Sequence, residues 1–159
     1  MFADPLVERL AAFIRGIGID VRPAELPDPT FLPGLAIRDG VIFVDEARLA
    51  HPGDMLHEAG HLAVIEPAVR HLPELVSTDG DEIAAQAWSW AAIRHLGLDP
   101  AIVFHADGYR GNSPMLIELF STGGTFGQPL LQYYGMTFEP RLAAENGVPA
   151  FPHMLRWLR

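Results

Sequence analysis

His57-Glu58-Ala59-Gly60-His61 stands inside the apolar run from Met55 to Ile65, and its reading decides the architecture of the chain. On an α-helix, residues four apart lie one above the other, so the two imidazoles share a face and can reach one ion. Glu58 sits beside that face, where its carboxylate is placed to take a proton from an activated water. The surroundings favour a helix. Pro52 suits a first helical turn, where its missing N–H needs no partner, and Asp54 puts negative charge near the positive end. Leu56, Ala59, Ala63 and Val64 supply apolar surface, and Pro67 stops the run. Ala59 and Gly60 are small enough for another backbone to approach between the histidines. A core helix with two satisfied histidines is the alternative reading of the same residues.

Upstream, Leu35 to Val44 is split by Asp39-Gly40, the strongest short-range hairpin signal, which predicts paired strands over 35–38 and 41–44. A sheet edge beside the motif helix would let an extended peptide add a strand. A purely structural hairpin is the other reading. Nearer the amino terminus, Asp4 is placed as N-cap and Pro5 as first helical residue. Leu6, Leu10, Phe13 and Ile14 form one apolar face, which Gly16 and Gly18 end. The proline-rich residues 19–34 read as an irregular connection.

Downstream, Glu82-Ile83-Ala84-Ala85-Gln86-Ala87-Trp88-Ser89-Trp90 begins a second long helix that ends near Gly97. Glu82, Ala85, Gln86 and Ser89 share a small, polar stripe on it, while Trp88 and Trp90 belong to the core. Ser113-Pro114 opens a helix through Phe120. Residues 121–129 form a glycine-rich loop, with Ser121-Thr122-Gly123-Gly124-Thr125-Phe126-Gly127, which lacks the lysine of a nucleotide phosphate loop and reads as a flexible link. A helix near 128–134 and an amphipathic segment from Met154 to Leu158 close the chain. His51, His71 and His95 read as surface or capping groups.

With 159 residues, of which 49% are hydrophobic and 19% charged, the chain is long and apolar enough for one domain over 1–159 with its own core. A net charge of −9 argues against nucleic acid and anionic membranes as partners, since both require a basic footprint. No run reaches membrane-spanning length and no basic, apolar leader opens the chain, so a cytoplasmic location is expected. Cysteine is absent, which excludes disulfides and thiolate metal sites.

Any metal is therefore held by His, Asp or Glu. A hydrolytic zinc site uses three protein ligands and leaves a fourth position open. A third histidine further along the motif is ruled out, because Val64 and Pro67 occupy the positions where glycine and histidine would stand. Glu82 is the best third ligand, with Asp79 and Asp81 as nearby substitutes. These residues make the chain resemble the gluzincin zinc metallopeptidases, closest to the small minigluzincin proteins of the ImmA/IrrE type. The likeness rests on the strand at 41–44, on His57-Glu58-Ala59-Gly60-His61-Leu62 and on Glu82-Ile83-Ala84-Ala85 with Trp88, and covers about residues 35–95.

The resemblance implies a zincin-like α+β fold, a small antiparallel sheet packed against a metal-bearing helix pair. It implies Zn²⁺ on His57, His61 and Glu82, with Glu58 as general base in cleaving a peptide or protein substrate. Many family members carry Asp or Asn about four residues after the third ligand, orienting the first histidine. Here that residue is Gln86, whose amide oxygen can accept the imidazole N–H without a formal charge. A donor for the developing oxyanion would come from Tyr109, His105, Tyr133, Tyr134 or His153. The alternative function is a metal-binding regulatory or interaction module with the same fold and little turnover.

Overall fold

The computed structural model describes residues 1–159 apart from Asp28. Its helices are α1 (Pro5–Gly16), α2 (Asp54–Val64), α3 (Asp79–His95), α4 (Ser113–Ser121), α5 (Gln128–Tyr133) and α6 (Pro140–Asn146), and its strands are β1 (Val21–Pro23), β2 (Leu35–Arg38) and β3 (Val41–Val44). The chain is thus an α+β protein. No helix among the described residues is long and apolar enough to cross a membrane.

The hairpin forms at the expected residues. Asp39 and Gly40 take left-handed backbone, with φ of 53° and 76°, and join β2 to β3 in antiparallel register from Arg38 opposite Val41 to Leu35 opposite Val44. Two successive residues with positive φ give the turn whose twist matches that of the strands. The sheet is mixed, not antiparallel throughout as expected. β1, inside the stretch read as irregular, pairs parallel to β3 with Val21 opposite Ile42. Pro23 fits there because it ends an edge strand, where its missing N–H breaks no ladder. The order β1-β3-β2 leaves β2 as the other edge.

Local chemistry accounts for the helices around this sheet. The Asp4 carboxylate accepts from the N–H groups of Leu6 and Val7 at 2.7 and 3.2 Å, and α1 buries Val7, Leu10, Ala11 and Ile14. α2 starts at Asp54, so Pro52 lies outside it. At Gly53, just before it, a Cβ would sit 1.9 Å from the Ile102 carbonyl oxygen, so only glycine lets the chain pass there. α3 begins one turn before Glu82. Thr78 and Asp81 form a reciprocal capping box, Thr78 Oγ1 accepting from the Asp81 N–H and Asp81 accepting from the Thr78 N–H at 2.9 Å.

α2 and α3 pack along each other at close range. At Gly60 an added Cβ would stand 3.0 Å from the Ala85 carbonyl oxygen and 3.3 Å from Ser89 Oγ. The small, polar stripe of α3 therefore faces α2 and the site, not solvent. Met55, Leu56, Ala59, Leu62, Ala63 and Val64 of α2 meet Trp88, Ala91, Ala92 and Ile93 of α3 in one core that also takes in the buried face of α1. Met154 to Leu158 forms no regular element. Its backbone is committed to distant partners: the Leu155 N–H donates to Met136 and the Trp157 carbonyl accepts from Trp88 Nε1 at 3.0 Å.

Trp88 is fully buried against Phe13 and Trp157, with ring centroids 6.2 and 5.5 Å away. Trp88→Ala is expected to lower unfolding stability by about 3–5 kcal/mol, through the lost burial and the cavity left behind. Urea denaturation checks this; a loss under about 1 kcal/mol would mean the core does not close around that ring.

Candidate metal centre

α2 carries His57 and His61 on one face, and α3 brings Glu82 from its first turn to meet them. His61 Nε2 lies 3.1 Å from His57 Nε2 and 3.0 Å from Glu82 Oε2, and His57 Nε2 lies 3.6 Å from the same oxygen. Ligands about 2.0–2.1 Å from a tetrahedral ion stand roughly 3.3 Å apart, so this triangle has the dimensions of one face of a zinc shell. Two imidazole nitrogens and a carboxylate oxygen form a donor set suited to zinc and poorly suited to magnesium or calcium. The residues present fit the ion.

The atoms that point away from the triangle are also held. Tyr109 Oη lies 3.2 Å from His57 Nδ1, Ser77 Oγ lies 3.1 Å from His61 Nδ1, and Gln86 Nε2 donates to Glu82 Oε1 at 2.9 Å. With Nε2 committed to an ion, each Nδ1 carries the proton and donates to its hydroxyl, which fixes both tautomers and both ring planes. Gln86 thus does not orient His57 as expected. Its amide occupies one oxygen of Glu82 and leaves the other for the centre, while Tyr109 takes the place behind His57. Tyr109 reaches it from a turn in which Tyr109 and Arg110 both have left-handed backbone, φ 53° and 54°. Such conformations cost non-glycine residues about 1–3 kcal/mol and persist only where the surroundings fix them.

Burial and neighbouring charges set the protonation states. Burial, with the charge of His61 adding to it, pushes His57 down to about 4, so the ring stays neutral at neutral pH, as a ligand must. Burial also lowers His61, but the hydrogen bond to Glu82 and the charges of Glu58 and Glu82 outweigh it, and the net shift is upward. The bond from His61 is in turn the main reason Glu82 is held down to about 2. Glu58 moves the other way: burial, helped by Asp54 and Glu82 and opposed by His61, raises it to about 7. Burial, with the charges of Glu82 and Asp54 adding to it, lifts Tyr109 well above the ordinary tyrosine value, so its phenol keeps its proton.

Glu58 opens onto a groove of about 710 Å³ that it shares with His61, Ser77, Ile37 and Arg38 of β2, and the 73–75 segment. Phe31, wholly exposed, lines the groove, and Val76, 76% exposed, follows the 73–75 segment. Asp79 and Asp81 do not join the centre: Asp79 is exposed and Asp81 is engaged in the cap of α3. None of the five residues considered as oxyanion donors lines the groove. Tyr109 stands behind His57, His105 bonds Asp54 at 2.9 Å, Tyr133 is exposed, Tyr134 lies under the Arg159 guanidinium, and His153 lines a depression with Arg94 and Trp157. Arg38 is the cation that does line it, and the sequence reading gave it no role. A separate cavity of about 390 Å³, walled by Trp90, Phe120 and Phe151, holds none of the centre's residues.

Comparison of the chain with protein-family models, with curated proteins and with solved structures finds no match. The site therefore rests on its own geometry. Tyr109→Phe removes the acceptor behind His57 and should weaken zinc binding about 10- to 100-fold, measured by competition with a chromogenic chelator. Unchanged affinity would mean that the 3.2 Å contact does not orient the ligand.

Proposed function

We propose that this chain is a zinc-dependent hydrolase, a metallopeptidase of the gluzincin type, acting on a peptide or protein. The observation that carries the reading is the convergence of His57, His61 and Glu82, each with its outward atom separately held, beside a carboxylate raised to about 7 that opens onto a groove. His57, His61 and Glu82 would hold the ion, which when bound supplies Lewis acidity toward water and toward the scissile carbonyl. Glu58 takes a proton from the attacking water on its carboxylate and returns it to the leaving amine. Its place near neutrality suits both halves of that task, and a dication beside it favours the ionised form.

The groove matches a peptide in extended form. β2 is an edge strand whose residues Leu35, Ala36 and Ile37 line a depression next to Glu58, continuous through Ile37 and Phe31 with the larger groove. A substrate strand would hydrogen-bond to that edge and set its carbonyl over the centre, with Phe31 offering apolar contact to its side chains. The net charge of −9 speaks against nucleic acid or an anionic membrane as partner.

A second reading, a metal-binding regulatory or interaction module with little turnover, is favoured by one observation. Among the described residues, no tyrosine and no histidine other than His61 lines the groove. One assay separates the two. Casein and an unbiased peptide library are incubated with purified protein, with and without a zinc chelator. Cleavage that the chelator stops and added zinc restores supports the hydrolase; zinc-loaded protein that cleaves nothing supports the module.

A further inference from the structure

We propose a second metal site, distinct from the first, formed by His51, His105 and Asp107 for a divalent transition ion such as zinc. A ring nitrogen of each histidine and a carboxylate oxygen of Asp107 lie within 4.8 Å of one another. His105 carries the sharper signal. Its Nε2 lies 2.9 Å from the buried Asp54 carboxylate, while its Nδ1 is buried and meets no hydrogen-bond partner among the described residues. With the proton on Nε2, facing Asp54, Nδ1 presents a bare lone pair in a dry place. An unpaired buried acceptor is costly, and native structures leave few of them. A carboxylate gripping one ring nitrogen while the other stands open is the arrangement that orients metal-ligating histidines.

His51 and Asp107 complete the set from the outer side. His51 Nε2 lies 3.1 Å from Asp107 Oδ2, with His51 31% and Asp107 79% exposed, so an ion can enter from solvent. The two imidazoles stack, centroids 3.7 Å apart and 11° from parallel. A metal binds in the plane of an imidazole, so a shared ion requires one ring to tilt. His105 is pinned by Asp54, and the tilt falls to His51. Two histidines and a carboxylate give the nitrogen- and oxygen-rich set that zinc accepts, with a position left for water. Asp54 opens α2 one turn before His57, and the chain beyond Asp107 leads to Tyr109, so an ion here would brace both elements that hold His57.

The test is zinc stoichiometry by equilibrium dialysis at micromolar free zinc, followed by elemental analysis. The variants are His51→Ala and Asp107→Asn, both at exposed or part-exposed positions, and the double variant His61→Ala/Glu82→Ala. Wild type should hold two zinc ions per chain, each outer variant one, and the double variant one. If wild type holds two and neither outer variant loses any, or if it holds one that the double variant abolishes, the second site is wrong. A single ion lost in His51→Ala and kept in the double variant would uphold this site and sink the hydrolytic one.

Discussion

Glu58→Gln should bind zinc as tightly as wild type and lose peptide cleavage by a factor of about 10² to 10⁴, the contribution typical of a positioned general base. The substitution keeps the side chain's shape and removes only its ability to take a proton. Glu58 is not one of the three groups within bonding reach of a common ion, so the zinc stoichiometry should not move. Burial already holds this carboxyl near 7, so a neutral amide there introduces no new desolvation penalty and the fold should tolerate it. Cleavage is followed on whichever peptide the library yields. A Glu58→Gln protein that cleaves at the wild-type rate would remove Glu58 from the chemistry and leave the hydrolase proposal without a base.

Glu82→Ala should weaken zinc binding by more than about a hundredfold, beyond what loss of an outer partner such as Tyr109 costs. The carboxylate supplies the only formal negative charge within the triangle, and without it two neutral imidazoles remain. A second readout follows from the metal-free protein. Glu82, more than Glu58, lifts His61 against its own burial, so in the variant the His61 ring should titrate lower than in wild type, visible in its NMR ring signals. The sign carries over to binding. His61 must shed its proton to accept an ion, so zinc affinity in wild type should strengthen as pH rises toward and through the raised His61 value. A variant that kept full affinity would place the third ligand elsewhere.

What the sequence disclosed was what local chemistry controls. The Asp39-Gly40 turn, the Asp4 cap and the stop at Pro67 are decided by a few neighbouring residues, and all three appear as read. The histidine pair was legible because helical spacing alone puts one above the other. The start of α3 was misplaced by one turn although its signal, Thr78 followed three residues later by Asp81, lies in plain view. β1 was hidden for a different reason. Three residues ending in proline carry almost no strand signal, and only the parallel partner β3, paired from Val21 opposite Ile42 to Pro23 opposite Val44, makes them a strand. The outer partners were hidden in the same way. Ser77 and Tyr109 reach the histidines from loops, and Tyr109 does so through a left-handed backbone that its own sequence does not announce. Gln86 has the spacing to face either His57 or Glu82, and only the packing of α2 against α3 decides for Glu82.

The most direct test of the centre is anomalous diffraction at the zinc edge from crystals of the zinc-loaded protein. A peak is predicted about 2.0–2.2 Å from His57 Nε2, His61 Nε2 and one oxygen of Glu82, with Tyr109 and Ser77 still on the two Nδ1 atoms. Fully loaded protein with no peak among those three residues would contradict the account.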